Sequence, residues 1–197
     1  MELLLASHNL HKKREMQRVL PQAIILRDLH DLNFNEEIEE SGTSLEENAR
    51  IKARYLHDRL HMNCLAEDSG LEVDALHGAP GVFSARFAGP QKSDSDNIAL
   101  LLHKMETIEE RGAQFRTVIV LILEDCEYLF EGIIRGRIER KPEGNGGFGY
   151  DPIFTPEGYD KTFAELGDAI KTAISHRSIA TRKLVHLLQH YASDRMH

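Results

Sequence analysis

Cysteine is scarce: the 197 residues contain two, Cys64 and Cys126. Each falls within strand-forming residues and has no second Cys or spaced ligand nearby, which argues against a disulfide framework or a cysteine metal clip. Free cysteines of this kind are usually buried and inert, and both are expected to be so here. Long apolar runs are also missing. None approaches the roughly 18 residues that a bilayer span needs. The opening Met1-Glu2-Leu3-Leu4-Leu5 has neither a basic start nor enough apolar length for a leader, so a cytosolic chain with no membrane partner is expected. Positive charge is in the minority, 24 Lys and Arg against 32 Asp and Glu, for a net charge of −8. Polyanionic duplexes are held by clustered cations, and no basic stripe with interleaved aromatics occurs, so a nucleic-acid polymer is disfavoured as a partner. A G-x-S-x-G elbow is absent and neither Cys has an activating neighbour in sequence, which leaves covalent nucleophilic catalysis unsupported. There is no internal repeat and no low-complexity segment.

What is present is an ordinary folding composition, 41% apolar and 28% charged, in a length that suits one domain over residues 1–197. Residues 3–6 read as a strand ending at Ser7-His8-Asn9. A helix then opens at Lys12-Lys13-Arg14, with Met16, Val19 and Leu20 on one face and Pro21 as its stop. Residues 23–26 read as a second strand, followed by an acidic connection, residues 28–42, crowded by Glu36, Glu37, Glu39 and Glu40. Thr43 with Glu46 predicts a capped helix carrying Leu45, Ala49, Ala53, Leu56 and Leu60 to about His61. Residues 64–67 form a strand that runs into Asp68-Ser69-Gly70, residues 71–76 are strand-like, and Gly78-Ala79-Pro80-Gly81 is a turn. Residues 93–108 are helical. Residues 115–124 and 128–139 make the clearest antiparallel hairpin, with Asp125-Cys126-Glu127 as its connection. A glycine-rich loop follows over residues 144–149, and Ser175-His176-Arg177 leads into a last helix with Ala180, Leu184, Leu187, Leu188 and Tyr191 on one face. Strands and helices alternating around a long hairpin predict an α/β fold with a mixed sheet flanked by helices.

Several clusters can carry chemistry. Lys12, Lys13 and Arg14 lie in the first turn of a helix, where the macrodipole penalises each cation by about 0.3–1 kcal/mol. Either the three project into solvent, or an anion docks there on Ser7, Asn9 and the loop amides. Glu39-Glu40 and Glu67-Asp68 are carboxylate pairs on separate segments. They are either solvated surface or oxygen ligands for a hard cation, since Mg²⁺ takes one or two carboxylates plus substrate phosphate. Gly144-Asn145-Gly146-Gly147-Phe148-Gly149 fits the dinucleotide spacing G-x-G-x-x-G, but Tyr150-Asp151-Pro152 follows where a helix should begin, so that reading fails. The segment is either a plain turn or a loop that closes over a planar ring at Phe148. Lys171, His176 and Arg177 together are donors suited to keto oxygens or phosphate. Metal-assisted hydrolysis is the chemistry this set fits best.

The order of these blocks resembles the inosine triphosphate pyrophosphatase family nearly end to end. The resemblance rests on Ser7-x-Asn9-x-x-Lys12, Glu40-Ser41-Gly42-Thr43 with Glu47-Asn48-Ala49 and Lys52-Ala53, Asp68-Ser69-Gly70-Leu71, and Gly78-Ala79-Pro80-Gly81 with Ser84-Ala85-Arg86. It continues through residues 146–154, Lys161-Thr162 with Ala164-Glu165-Leu166, and Ser175-His176-Arg177. It implies an elongated α/β fold of two lobes with a central cleft, a homodimer, and Mg²⁺-dependent cleavage of non-canonical purine nucleoside triphosphates (ITP, dITP, XTP) to the monophosphate and pyrophosphate. On this resemblance Ser7, His8, Asn9, Leu10, His11 and Lys12 hold the triphosphate, Glu40 and Asp68 bind Mg²⁺, and Asp68 also activates water. Lys52 neutralises phosphate, Ser69 contacts substrate, and Phe148, Gly149, Tyr150, Asp151, Lys171, His176 and Arg177 form the base pocket. The chain departs from the commonest pattern at Ser7 (often Thr), His8 (often Gly) and Glu67 (often Asp). Two rival readings stand beside it: a pyrophosphatase for modified pyrimidines or ordinary triphosphates, and a nucleotide-binding regulator without catalysis.

Overall fold

A computed structural model describes residues 1–36 and 38–194; Glu37, in the acidic connection, lies outside them. Six strands form one sheet in the order β2-β1-β3-β4-β5-β6, comprising β1 (Glu2–Leu5), β2 (Ile25–Asp28), β3 (Cys64–Val73), β4 (Gly112–Leu123), β5 (Cys126–Ile138) and β6 (Phe154–Pro156). β1 pairs in parallel with both β2 and β3, whereas β5 and β6 are antiparallel. The helices are α1 (Leu10–Gln17), α2 (Leu45–Leu60), α3 (Asp94–Lys104), α4 (Phe163–Ile174) and α5 (His176–Asp194). The class is α/β with a mixed sheet, as the alternation of periods predicts.

The chain divides into two compact units, the first made of residues 1–68, 117–132 and those from 176 onward, the second of residues 69–116 and 133–175. Each has its own core. In the first, Leu3 and Leu5 of β1 and Leu65 of β3 pack with Met16 of α1 and with Ala180, Leu184 and Leu188 of α5. The continuous apolar run of β1 is what a strand covered on both faces requires. In the second, Leu71, Val73, Phe115 and Ile138 pack with Ile98, Leu101, Phe154 and Phe163. Phe154 and Phe163 stack at 5.6 Å between centroids.

Local chemistry moves several boundaries. The cap of α2 is Ser44, whose hydroxyl accepts from the Glu47 amide at 3.1 Å, one residue beyond the expected Thr43 and Glu46. Thr43 instead donates from its amide and hydroxyl to Glu47 Oε2 at 2.7 and 2.8 Å. The helix ends at His61 in the left-handed region, φ 50°.

β3 is one strand of ten residues rather than two pieces broken at Asp68-Ser69-Gly70. Gly70 is needed there for space: a Cβ on it would lie 2.4 Å from the Gly81 carbonyl oxygen. The hairpin turn is Glu124-Asp125, both with positive φ, the signature of a two-residue type I′ connection between antiparallel strands. Cys126 therefore begins β5, and it is exposed, contrary to the expected burial; Cys64 is buried as expected, and burial pushes its thiol up to about 12.

α1 ends before Val19 and α3 before Met105, each shorter than its periodicity suggested. α4 was not expected at all. Its signal is the pair Thr162 and Glu165, a reciprocal capping box in the structure.

Candidate active site

The first unit gathers its charged residues on the two faces of β3. Side chains alternate along a strand, so Glu67 and Asp68, though adjacent, project to opposite faces and cannot act as a carboxylate pair. Asp68 faces α2, as Cys64 does through its Sγ contact with the Ala53 carbonyl. Glu67 shares the face of Leu65, toward α1 and α5.

On the Asp68 face, Lys52 is buried on α2 and its Nζ lies 2.7 Å from Glu40 Oε1 and 3.0 Å from Asp68 Oδ1. One ammonium thus joins the two carboxylates that the resemblance assigns to Mg²⁺. Burial by itself lowers the Lys52 pKa, but Asp68 and Glu40 outweigh it and the net shift is upward. For Asp68, burial dominates and raises the pKa above the ordinary carboxylate value, against the pull of Lys52 and Lys12. Asn48, one turn before Lys52, accepts from the Gly42 amide at 2.8 Å and reaches Asp68 Oδ2 at 3.5 Å. The acidic segment is thereby tied to α2 beside the carboxylate.

The donor set fits Mg²⁺ of a particular kind. Among the described residues no group of three or more His, Cys, Asp or Glu could hold a metal ion. Glu40 and Asp68 supply two hard oxygen ligands, which is the number Mg²⁺ takes when substrate phosphates complete its shell.

On the Glu67 face, Glu67 is fully buried and is held by Lys12 Nζ at 2.5 Å and Arg177 Nε at 2.9 Å. Arg177, 2% exposed, also donates to Glu15 of α1. Burial alone would raise the Glu67 pKa, yet Arg177 and Lys12 together hold it far below the carboxylate range. The structure places Arg177 inside this ion-pair chain, and His176 beside it is also buried, 4% exposed.

Residues Ser7 to Lys12 come together at the start of α1. Asn9 Oδ1 accepts from the His11 and Lys12 amides at 2.9 and 3.2 Å, and the Ser7 hydroxyl accepts from the Asn9 amide at 3.0 Å. The amides that an anion would use are thus capped by the loop itself. Of the three cations expected in the first turn, Lys12 pairs with Glu67 and Lys13 with Asp28 and Asp31, while Arg14 falls in the last turn of α1. His8, Leu10 and His11 are exposed. The His8 ring meets His30 edge-on at 4.9 Å, and His30 Nε2 sits 3.0 Å from the His8 carbonyl.

In the second unit, Phe148, Asp151 and Lys171 are brought into one cluster. Lys171 Nζ pairs with Asp151 Oδ2 at 2.5 Å, both buried, and lies 4.5 Å from the Phe148 ring centroid, within cation–π reach. Asp151 Oδ2 also accepts from the Phe148 amide at 2.9 Å. Gly147, φ 75°, has no room for a side chain because a Cβ would lie 2.1 Å from that oxygen. Gly149 donates to Asp94 Oδ2 at 2.7 Å, and the Tyr150 hydroxyl to the Ser84 carbonyl at 2.9 Å. Burial raises the Tyr150 pKa, so this phenol stays protonated. Ser69, next to Asp68 on β3, is half-buried.

A match to the model of the Ham1 family covers residues 3–187. The chain belongs to the Ham1 family. Among Ham1-like relatives it is 48% identical over 188 residues to the dITP/XTP pyrophosphatase of Flavobacterium johnsoniae, an alignment spanning 95% of this chain and 98% of that protein. The solved structure of the Staphylococcus aureus Ham1 protein superposes with a TM-score of 0.88 at 38% identity, covering 97% of this chain and 100% of the other. A nucleoside-triphosphatase, dITP/XTP pyrophosphatase, from Mycobacterium abscessus gives 0.76 at 46% identity over 95% and 99%. These likenesses agree with the mixed α/β sheet.

Three residues that contact the candidate site residues were given no role from sequence. Asn48 had a readable signal, since it and Lys52 are polar residues four apart on a helix whose neighbouring positions are core. Glu15 and Asp94 had none: each acts across the fold, on Arg177 and on the Gly149 amide.

Proposed function

We propose that this chain hydrolyses non-canonical purine nucleoside triphosphates, ITP, dITP and XTP, to the nucleoside monophosphate and pyrophosphate. The observation that carries the reading is the buried Lys52 ammonium seated between Glu40 and Asp68. Two carboxylates around one fixed cation leave a net negative charge at rest, which a divalent counterion arriving with phosphate would offset. The names of the relatives supply the substrate class, and the resemblance adds a cytosolic setting and a homodimer.

Glu40 and Asp68 would hold Mg²⁺, which supplies Lewis-acid neutralisation of phosphate charge. The triphosphate would displace Asn9 Oδ1 from the His11 and Lys12 amides of the loop Ser7 to Lys12, and Lys52, with three donor positions of which two are engaged, has one for a phosphate oxygen. Asp68 takes a proton from water. Its pKa, raised by burial, makes it a stronger base than an exposed aspartate. The water oxygen bonds to the α-phosphorus, the bond from that phosphorus to the bridging oxygen breaks, and pyrophosphate departs with the electron pair. No covalent enzyme intermediate forms.

Base discrimination falls to the Phe148 and Lys171 cluster, whereas Arg177 is engaged by Glu67 and Glu15. Phe148 offers a face for stacking and Lys171 a donor beside it. A 6-amino purine presents a donor where a 6-keto group presents an acceptor, and each buried group left unpaired costs about 1–3 kcal/mol.

Hydrolysis of inosine triphosphate in water enriched in heavy oxygen tests the bond assignment. Label is expected in inosine monophosphate, from attack at the α-phosphorus. Label in pyrophosphate would place the attack on the β-phosphorus and remove Asp68 from the role given to it.

A further inference from the structure

On α5 the core-facing stripe is Ala180, Leu184 and Leu188, all at most 4% exposed. His186 lies two residues beyond Leu184, about 200° around a helix that turns 100° per residue, and His190 follows four later on the same outward face. Both imidazoles are exposed. Their Nε2 atoms approach to 3.2 Å, with the rings perpendicular at 88° and 4.4 Å apart.

Two neutral imidazoles in this arrangement share one N–H between two nitrogens. A metal ion can take the place of that proton. With Zn–N bonds of about 2.0–2.1 Å, two ligand nitrogens stand about 2.9 Å apart at a right angle and about 3.3 Å apart at the tetrahedral angle. The observed separation falls between these values, the spacing that two nitrogens on one ion require. Histidines spaced i and i+4 on one helix face are a known way of presenting two nitrogens to one ion.

We propose that His186 and His190 form a second metal site, separate from Glu40 and Asp68, that takes a divalent transition ion of the imidazole-preferring kind. Neutral nitrogen ligands exclude Mg²⁺, which requires oxygen. Affinity follows the order Co²⁺ below Ni²⁺ below Cu²⁺, with Zn²⁺ weaker than Cu²⁺. Two protein ligands leave open positions for water, so the site is an accessory one rather than a structural clip of the closed four-ligand type. When occupied it ties consecutive turns of α5 together.

The test is calorimetric titration of the full-length protein with Ni²⁺ and with Cu²⁺, each in excess Mg²⁺, for the wild type and for His186→Ala and His190→Ala. Alanine is the strongest helix former and both positions are exposed, so the variants keep their fold. One equivalent of ion binding to the wild type, Cu²⁺ more tightly than Ni²⁺, and lost in each single variant, is the expected result. It comes with a Ni²⁺-induced rise in Tm that only the wild type shows. Equal binding or an equal Tm rise in wild type and variants overturns the site. Mg²⁺-dependent pyrophosphate release is expected to be unchanged in both variants, and its loss would contradict the separation of the two sites.

Discussion

Asp68→Asn is expected to lower turnover of inosine triphosphate by about 10²- to 10⁴-fold, the range for removing a positioned general base, with little change in nucleotide affinity. Asparagine keeps the shape and a hydrogen-bonding oxygen for Lys52, whose Nζ retains Glu40 at 2.7 Å, so the fold should survive. The pH profile is the second half of this expectation. Asp68 must be ionised to accept a proton, and burial sets its pKa above the ordinary carboxylate value against the opposing effect of Lys52. Wild-type activity therefore falls as pH drops through that raised value, earlier than an exposed aspartate would dictate. The residual activity of the variant should lack this acidic limb. Stopped-time assays of pyrophosphate release across pH check both; a variant with the wild-type rate would mean that Asp68 is not the base.

Glu67→Gln should cost the protein about 3–5 kcal/mol of stability, the penalty for breaking a buried ion pair from one side. Arg177 is 2% exposed and Glu67 fully buried. Removing the Glu67 charge takes a buried carboxylate partner from both Arg177 and Lys12. Urea unfolding at neutral pH measures the loss. Glu67 has its pKa lowered by Arg177 and Lys12 despite burial, so its contribution is complete above the unfolded carboxylate value of about 4.3. It is lost only as pH falls from there through the folded value. The gap between wild type and variant should hold at neutral pH and narrow in strong acid. A double variant, Glu67→Met with Arg177→Met, should be more stable than Glu67→Gln, because a buried apolar pair carries no desolvation debt. An additive loss in the double variant would show that the two side chains do not interact.

Much of this was legible in the residues. The helical stripe of α2, the apolar run of β1 and the β4–β5 hairpin follow from period alone, and rejecting a dinucleotide helix after Gly149 needed only Pro152. What period could not supply was direction. Glu67-Asp68 reads as a carboxylate pair in one dimension; the pleat of β3 sends the two residues to opposite faces and into different roles. The break expected at Ser69-Gly70 did not occur because Gly70 answers a close approach of the Gly81 carbonyl, a contact eleven residues away in sequence. Cys126 was expected inside because free cysteines are usually buried, but it opens β5 beside the hairpin turn and is exposed. Lys12, Lys13 and Arg14 looked like an anion site for want of partners, but Glu67, Asp28 and Asp31 come from β3 and from the segment at and after β2, and only folding reveals them. Arg177 likewise reads as a surface donor until its carboxylates are seen.

Release of pyrophosphate from inosine triphosphate and ATP, side by side and with and without Mg²⁺, tests the central claim most directly. The account predicts strong Mg²⁺-dependent release from inosine triphosphate and little from ATP; equal cleavage of both, or release that ignores Mg²⁺, would contradict it.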